Sequence, residues 1–203
     1  MQGSTPVECE VLNVIQGAGI WPDCDDKTQL LQAIQKIATA SLPTRQYFTE
    51  DGSFVVPERV TKLRVTVAGA GGGGGLNGYR IGEQSEDGQA SSVTYNQEVV
   101  IAEGGKGGWS AKTTAISAPH GGATNGDVNL VGQGSPGGNG TTSQDGLTGG
   151  AGGNGGLAIK EFAVLPGETL QVVVGAGGTT TADPAPDYSG NYGVDGYVII
   201  EWV

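Results

Sequence analysis

The chain has 203 residues, of which 39 are glycine and only 15% are charged. This composition excludes collagen, because the glycine triplet is local here, and also the highly charged type of disordered chain. The formal net charge of −11 argues against binding to nucleic acid or to anionic lipid, since phosphate affinity rests on lysine and arginine.

The start of the chain, MQGSTPVECE, has no basic stretch followed by an apolar run. A run of about 18 apolar residues, the length that spans a membrane, does not occur in the sequence. We therefore expect neither a signal peptide nor a membrane span, and synthesis in a cytoplasm. Cys9 and Cys24 could form a single intrachain disulfide, although a reducing compartment favours two thiols.

The first predicted element is a helix that begins at a capping box. Thr5 supplies the N-cap hydroxyl, Pro6 suits the first helical turn, and Glu8 follows three residues after the cap. Gly17 or Gly19 is predicted to end this helix, because glycine readily adopts the left-handed conformation found just past a helix.

A second helix is predicted between Asp26, which repeats the capping box with Gln29, and the Leu42-Pro43 pair that stops the pattern. The two helices would form a small hairpin, and we assign residues 1–43 to attachment or oligomerisation. The hairpin is too short to bury its apolar stripe alone, so the stripe should meet other copies, the next domain or a neighbouring protein. The residues assigned to this contact are Leu12, Ile15, Leu30, Leu31, Ile34 and Ile37.

Strand patterns replace helical ones from Tyr47 onward. Leu63, Val65 and Val67 alternate with polar residues, and two later runs, VLPGETLQVVVGAGG and GYVIIEWV, are further strand candidates. Residues 44–203 are therefore predicted to form a mainly β domain with glycine-rich segments.

In TGGAGGNGGL, residues 148–157, only every third residue carries a side chain. A polyproline II backbone also repeats every three residues, so this spacing places the side chains on one edge and leaves two edges bare. Several such segments could pack side by side through backbone hydrogen bonds, like polyglycine II helices; the alternative is a flexible linker. The similarity of residues 104–116 to residues 152–164, at a constant offset of 48, favours an ordered, duplicated unit.

No pattern of catalytic or cofactor-binding residues stands out. His120 is the only histidine, and Asp23, Asp25 and Asp26 lack the glycine and the terminal glutamate of a calcium loop. The run GAGGGGG is followed by loop residues, whereas a dinucleotide-binding turn requires a helix. We therefore predict no enzymatic activity, no cofactor and no metal site.

Loops between the glycine segments carry tyrosine among Gly, Ser, Asn and Asp, a composition typical of adaptable recognition surfaces. The alternative is that these tyrosines cap the ends of the glycine segments. In contrast, Trp109, Tyr197 and Trp202 are assigned to the core. The candidate binding residues are Tyr79, Arg80, Tyr95, Tyr188 and Tyr192.

Two parts of the chain resemble bacteriophage tail fibres. A helical segment found in many phage and prophage fibres is similar to residues 13–38, NVIQGAGIWPDCDDKTQLLQAIQKIA, in which TQLLQAI is the more specific part. The glycine-rich terminal domain of such fibres resembles residues 47–203, which open with YFTEDGSFVVPERVTKLRVTVAGAGGGGG and close with GVDGYVIIEWV. Residues 76–103 have no counterpart in this resemblance.

The resemblance implies a virion tail component, made in the host cytoplasm, that takes part in host adsorption. Its polyglycine II helices would form a sandwich that displays loops to a bacterial surface receptor, which could be a polysaccharide, a pilus or an outer-membrane protein. The other implied partners are tail proteins and further copies of the chain in a homotrimer, with no nucleic acid. The alternative function is a structural tail or baseplate protein that contacts only other virion proteins.

Overall fold

A computed structural model describes residues 6–23, 25–40, 44–75, 82–110, 116–141, 148–180 and 191–202. These residues fall into two compact units, one within residues 1–44 and one within residues 45–202. None of the helices in the described ranges has both the length and the apolar character needed to cross a bilayer.

The first unit contains two α-helices, α1 (Pro6–Gly17) and α2 (Gln29–Ala40). After α1, Gly19 has a φ of 67° and its N–H donates to Gln16 O at 2.8 Å, while Ile20 donates to Ile15 O at 3.1 Å. These two bonds form a Schellman motif, and Ile20 packs against the cluster that contains Ile15. Gly19, one of the two predicted helix ends, thus takes the left-handed position.

The capping box predicted for the second helix is wrong. Asp26 Oδ1 accepts hydrogen bonds from the hydroxyl and the backbone N–H of Thr28, at 2.6 and 2.8 Å, and these bonds lower the pKa of Asp26. Gln29 does not reach back to Asp26: it accepts from Asp23 N–H and donates to Trp21 O, each at 2.9 Å. The glutamine side chain therefore ties the interhelical turn to the start of α2.

The core of the helical unit is small. Ile15, Ala18 and Ala33 are the buried apolar residues of its described part. The sequence assigns Ile15 to an interface with other chains, and this prediction is wrong, because Ile15 is 6% exposed and packs inside the hairpin. The other residues assigned to that contact are 36–58% exposed: Leu12, Leu30, Leu31, Ile34 and Ile37.

The strands form two five-stranded sheets whose described pairings are antiparallel. In chain order the strands are β1 (Thr44–Phe48), β2 (Gly52–Val55), β3 (Lys62–Ala68), β4 (Ser91–Tyr95), β5 (Glu98–Ala102), β6 (Ala123–Thr124), β7 (Val128–Leu130), β8 (Leu157–Ala163), β9 (Thr169–Val173) and β10 (Tyr197–Trp202). The first sheet has the order β1-β10-β3-β8-β7, and the second has the order β2-β9-β4-β5-β6. The prediction of a mainly β fold with a small helical part is confirmed.

An apolar core lies between the two sheets. Leu63, Val65 and Val67 of β3 are at most 1% exposed, as their alternation with polar residues predicts. Val93 of β4 is fully buried in the same cluster, so both sheets contribute to it. Trp202, which the sequence assigns to the core, packs against this cluster from the end of β10.

The strands β4 and β5 form a hairpin inside residues 76–103, which the sequence treats as an insertion. Asn96 and Gln97 both have positive φ, 46° and 69°, and make its two-residue turn. Tyr95 is 8% exposed, and its hydroxyl donates to the carboxylate of Glu168. The prediction that Tyr95 contacts a binding partner is therefore wrong, because the alternation of β4 directs the ring into the core.

The segments between the strands form a glycine lattice, in which backbone hydrogen bonds join each segment to its neighbours. Its segments are residues 69–75, 82–90, 103–110, 116–122, 132–141, 148–156, 174–180 and 191–196. Bonds recur every three residues: Gly150, Gly153 and Gly156 donate to segment 103–110 at 2.8–2.9 Å. Gly149, Gly152 and Gly155, each one residue earlier, donate to segment 132–141. The third edge, with Asn154, is half-buried. This confirms the edges predicted from the spacing in residues 148–157.

Segment 69–75 lies at the centre of the lattice, and all seven of its residues are buried. Its N–H groups donate in rotation to segments 148–156, 82–90 and 191–196. Its carbonyl groups accept in rotation from segments 132–141, 103–110 and 174–180. Because neighbours surround it on every side, this segment has no edge on which a large side chain would fit, which explains the run GAGGGGG.

The central glycines are needed for close approach and not for an unusual backbone conformation. A Cβ added at Gly72 would lie 2.1 Å from Lys106 O, and one added at Gly74 would lie 2.1 Å from Asn139 O. Neither glycine has a positive φ. The flexible-linker alternative therefore does not describe these segments, since each is held by neighbouring backbone.

Candidate functional site

The end of the glycine lattice that lies away from the sheets is called the distal end here, and Gly75 marks it. The central segment leaves the first sheet after Ala68 and reaches Gly75 after a rise of about 22 Å, at about 3.1 Å per residue. Gly75 donates to Gly150 O at 2.8 Å and accepts from Thr141 N–H at 3.2 Å. The distal end is thus fixed by the same hydrogen-bond network as the rest of the lattice.

The described residues that flank four undescribed stretches lie at the distal end. They are Gly75 and Gly82, Ser110 and Ile116, Thr141 and Thr148, and Thr180 and Asn191. Gly82 donates to Ser110 O, and Gly74 donates to Asn191 O, both at 3.0 Å. Three of the predicted binding residues fall between these flanks, outside the described residues: Tyr79, Arg80 and Tyr188.

Large apolar side chains are exposed at the distal end. Tyr192, a predicted binding residue, is 65% exposed, and Ile116 is 60% exposed. Trp109 is 40% exposed, so its assignment to the core is wrong. The three-residue period of segment 103–110 explains this, because Trp109 lies on the same outward edge as Lys106. Exposed aromatic rings of this kind are typical of binding surfaces.

An ion pair joins lattice segments 82–90 and 103–110 near this surface. Lys106 Nζ lies 2.8 Å from Asp87 Oδ2, and Gly107 N–H donates to Asp87 Oδ1 at 2.8 Å. Partial burial would raise the pKa of Asp87, but the bonds from Lys106 and Gly107 outweigh it and hold the pKa below its usual value. The bond to Asp87 raises the pKa of Lys106. Segments 82–90 and 103–110 are therefore joined by charge as well as by backbone.

The residues considered for catalysis or metal binding have structural roles in the described parts of the chain. His120 Nδ1 accepts a hydrogen bond from Asn154 N–H at 2.9 Å, which ties the ring to the lattice. Within the described ranges, no three His, Cys, Asp or Glu side chains are grouped so as to hold a metal ion. Cys9 is exposed on α1. Cys24 lies outside the described ranges, and so does the predicted state of the two thiols.

The helical unit exposes several large apolar side chains, one of which the sequence interpretation missed. Trp21 is 88% exposed and borders a hollow of about 390 Å³ together with Gln16 and Ile20. The sequence signal for this exposed ring was a tryptophan followed by proline in the turn between the two predicted helices. Together with the exposed residues of α1 and α2, this ring makes the unit suited to protein contacts.

Comparison with other proteins leaves the family open. The sequence matches no protein-family model and no curated protein. The similarity to phage tail fibres therefore rests on the quoted stretches and stays a prediction. Of the five predicted binding residues, the structure places Tyr192 at the distal end and Tyr95 in the core, and the other three lie outside the described residues.

Proposed function

We propose that this chain is a component of a bacteriophage tail fibre and binds a bacterial surface receptor during host adsorption. The observation that carries the proposal is the exposure of three large apolar side chains, Trp109, Ile116 and Tyr192, at the distal end. The resemblance of residues 13–38 and 47–203 to tail fibres supports the same function.

The glycine lattice supports the proposal because it provides a stiff frame. Binding residues are commonly held on loops that a rigid scaffold positions, and a preorganised surface loses less entropy on association. The stretches between the distal flanks contain tyrosine and arginine, LNGYRI at residues 76–81 and TADPAPDYSG at residues 181–190. With tryptophan, these residue types are the usual anchors of protein interfaces.

The helical unit would attach the chain to other tail proteins or to further copies in a homotrimer. Its exposed apolar side chains, which include Leu31, Ile34 and Trp21, support this role. The net charge of −11 makes nucleic acid an unsuitable partner. The protein would act in the virion tail, without cofactor or catalysis, after synthesis in the host cytoplasm.

Adsorption of phage that carry substituted protein tests the proposal. Trp109→Ala combined with Tyr192→Ala should slow adsorption at least about tenfold, the effect of losing roughly 1.4 kcal/mol of binding free energy. Virions should still assemble, because both side chains project from the lattice. Leu165→Ala is the matched control, since Leu165 is as exposed as Tyr192, at 65%, but lies in the turn before β9.

If adsorption is unchanged by this double variant and by Tyr79→Ala with Tyr188→Ala, the distal end is not the receptor-binding surface. The exposed apolar helical unit favours the alternative, a structural tail or baseplate protein. Purified wild-type protein separates the two functions. An adhesin coats susceptible cells and competes with phage, whereas a structural part does neither.

A further inference from the structure

A hollow of about 460 Å³ lies beside the first sheet, at the end of the lattice opposite to the distal end. Tyr47 of β1 and Tyr197 of β10 line one side, and Pro136 and Val194 of the lattice line the other. The volume is within the range of small-molecule sites, about 300–1,000 Å³. Tyr197, which the sequence assigns to the core, faces away from it, because β10 directs the alternate residue Val198 inward.

A second hollow of about 430 Å³ continues the first. Thr49 and Asp195 line both hollows, and Glu50 and Asp51 line the second. The two hollows therefore form one trough, which we name the lateral trough. It offers an extended ligand more than one position along its length.

The lateral trough contains an aromatic platform. The rings of Tyr47 and Tyr197 stack with centroids 5.5 Å apart and an interplanar angle of 18°. Tyr47 is nevertheless 57% exposed, so its accessible area belongs to the ring face and edges that do not touch Tyr197. Stacking holds this ring in one orientation, which reduces the entropy lost when a ligand packs on it.

Two fixed carboxylates stand near this platform. Asp195 Oδ1 accepts from Gly177 N–H at 2.6 Å, and Asp51 Oδ1 accepts from Val174 N–H at 2.8 Å. A carboxylate has about four acceptor sites on its two oxygens, so each group can accept further hydrogen bonds from ligand hydroxyls. The hydroxyl of Thr49 adds a group that both donates and accepts.

We infer that the lateral trough binds an uncharged glycan. The C–H faces of a hexose ring carry partial positive charge, which the negative face of a tyrosine ring attracts. The hexose hydroxyls suit the carboxylate acceptors beside that ring. Glu50, Asp51 and Asp195, together with the net charge of −11, repel an anionic polymer, so the ligand carries no negative charge.

An extended peptide added to the edge strand β1 is the rival ligand. The lattice wall of the trough does not suit a peptide, because its backbone groups are already paired: Val194 donates to Pro136 O, and Ser135 donates to Gly69 O, both at 3.0 Å. A glycan needs side-chain acceptors and an aromatic face instead of a free strand edge, and the trough supplies both.

Isothermal titration calorimetry with the full chain tests the inference. The uncharged probes are maltohexaose, mannohexaose and galactohexaose, and the charged probe is hexagalacturonate. At least one uncharged probe should bind with a Kd below about 1 mM, and hexagalacturonate at least about tenfold more weakly. Tyr47→Ala should weaken the binding at least about tenfold, whereas Tyr47→Phe, which keeps the ring, should change it less than about threefold.

Tyr192→Ala is the matched control, because this exposed tyrosine lies at the distal end, and it should leave glycan affinity unchanged. The inference is overturned if no uncharged probe binds, if Tyr47→Ala binds as well as the wild type, or if hexagalacturonate binds as tightly. Binding of the alternating peptide (TV)3, without sugar binding, would assign the trough to a peptide. The proposed receptor function is tested by the distal variants, so each idea can fail alone.

Discussion

The substitution Gly72→Ala tests the packing of the lattice at its centre. The added Cβ would lie 2.1 Å from Lys106 O, whereas real Cβ atoms essentially never come within 3.0 Å of another atom. Segment 103–110 must therefore move away from segment 69–75 by about 0.9 Å, the difference between these two distances. Because the contact is with backbone, a change of rotamer cannot relieve it.

That displacement breaks specific hydrogen bonds between the two segments. Gly105 donates to Ala70 O at 2.9 Å, and Gly108 donates to Gly73 O at 2.8 Å. A shift of about 0.9 Å along these bonds lengthens both to about 3.7–3.8 Å, beyond hydrogen-bond distance. Each hydrogen bond lost between buried groups costs about 1–3 kcal/mol, so the two bonds account for about 2–6 kcal/mol.

The lower entropy of alanine in the unfolded chain offsets about 0.4–1 kcal/mol of this loss. A net destabilisation of about 1–5.6 kcal/mol lowers the Tm of a domain of this size by roughly 2–22 °C, which differential scanning calorimetry measures. Gly122→Ala is the control, since its Cβ would meet only the flexible side chain of Glu103, at 3.3 Å. Equal Tm values for the two variants would show that a Cβ fits at the centre of the lattice.

Two further predictions concern the helical unit and the stability of the two-sheet unit in acid. Leu31→Ser combined with Ile34→Ser removes exposed apolar area from α2. If this area holds the proposed homotrimer together, light scattering should show the mass in solution fall from trimer to monomer; a mass that the variant leaves unchanged contradicts this. The hydroxyl of Tyr95 and the N–H of Leu165 donate to Glu168 and hold its pKa below the usual 4.5. This carboxylate therefore stabilises the fold above about pH 4.5, and its contribution is lost as pH falls through the lowered pKa. Glu168→Gln should flatten the dependence of Tm on pH between about 5 and 3, and an identical slope in the variant would count against the assignment. The same bond raises the pKa of Tyr95, so the contribution of that hydroxyl is present below about pH 10 and lost as pH rises further.

The three-residue spacing was sufficient to predict which edges of segment 148–156 face neighbours. The number of neighbouring segments was not predictable, because an edge without side chains does not identify the segment that packs on it. The run GAGGGGG lies at the centre since its three edges carry nothing larger than the methyl group of Ala70. This central position follows only when segments distant in sequence are brought together. The wrong assignment of Trp109 to the core has a related cause. Its outward position is apparent only when the three-residue period is applied to segment 103–110.

The hairpin that contains Tyr95 was hidden by a polar residue at a core position. Ser91 of β4 is fully buried, and its hydroxyl accepts a hydrogen bond from Gly175 N–H at 3.0 Å. Because this serine forms a hydrogen bond with a lattice segment, a polar residue interrupts the apolar alternation by which a strand is recognised. The binding surfaces were less predictable still, because the lateral trough combines residues from β1, β10 and three lattice segments.

Amide hydrogen exchange of residues 69–75 tests most directly whether the glycine lattice is a stiff frame. Each of these N–H groups is buried and bonded to a neighbouring segment. The account predicts that they exchange only through global unfolding, as slowly as the amides of β3. Exchange at the rate of an unstructured chain, while β3 stays protected, would contradict the account.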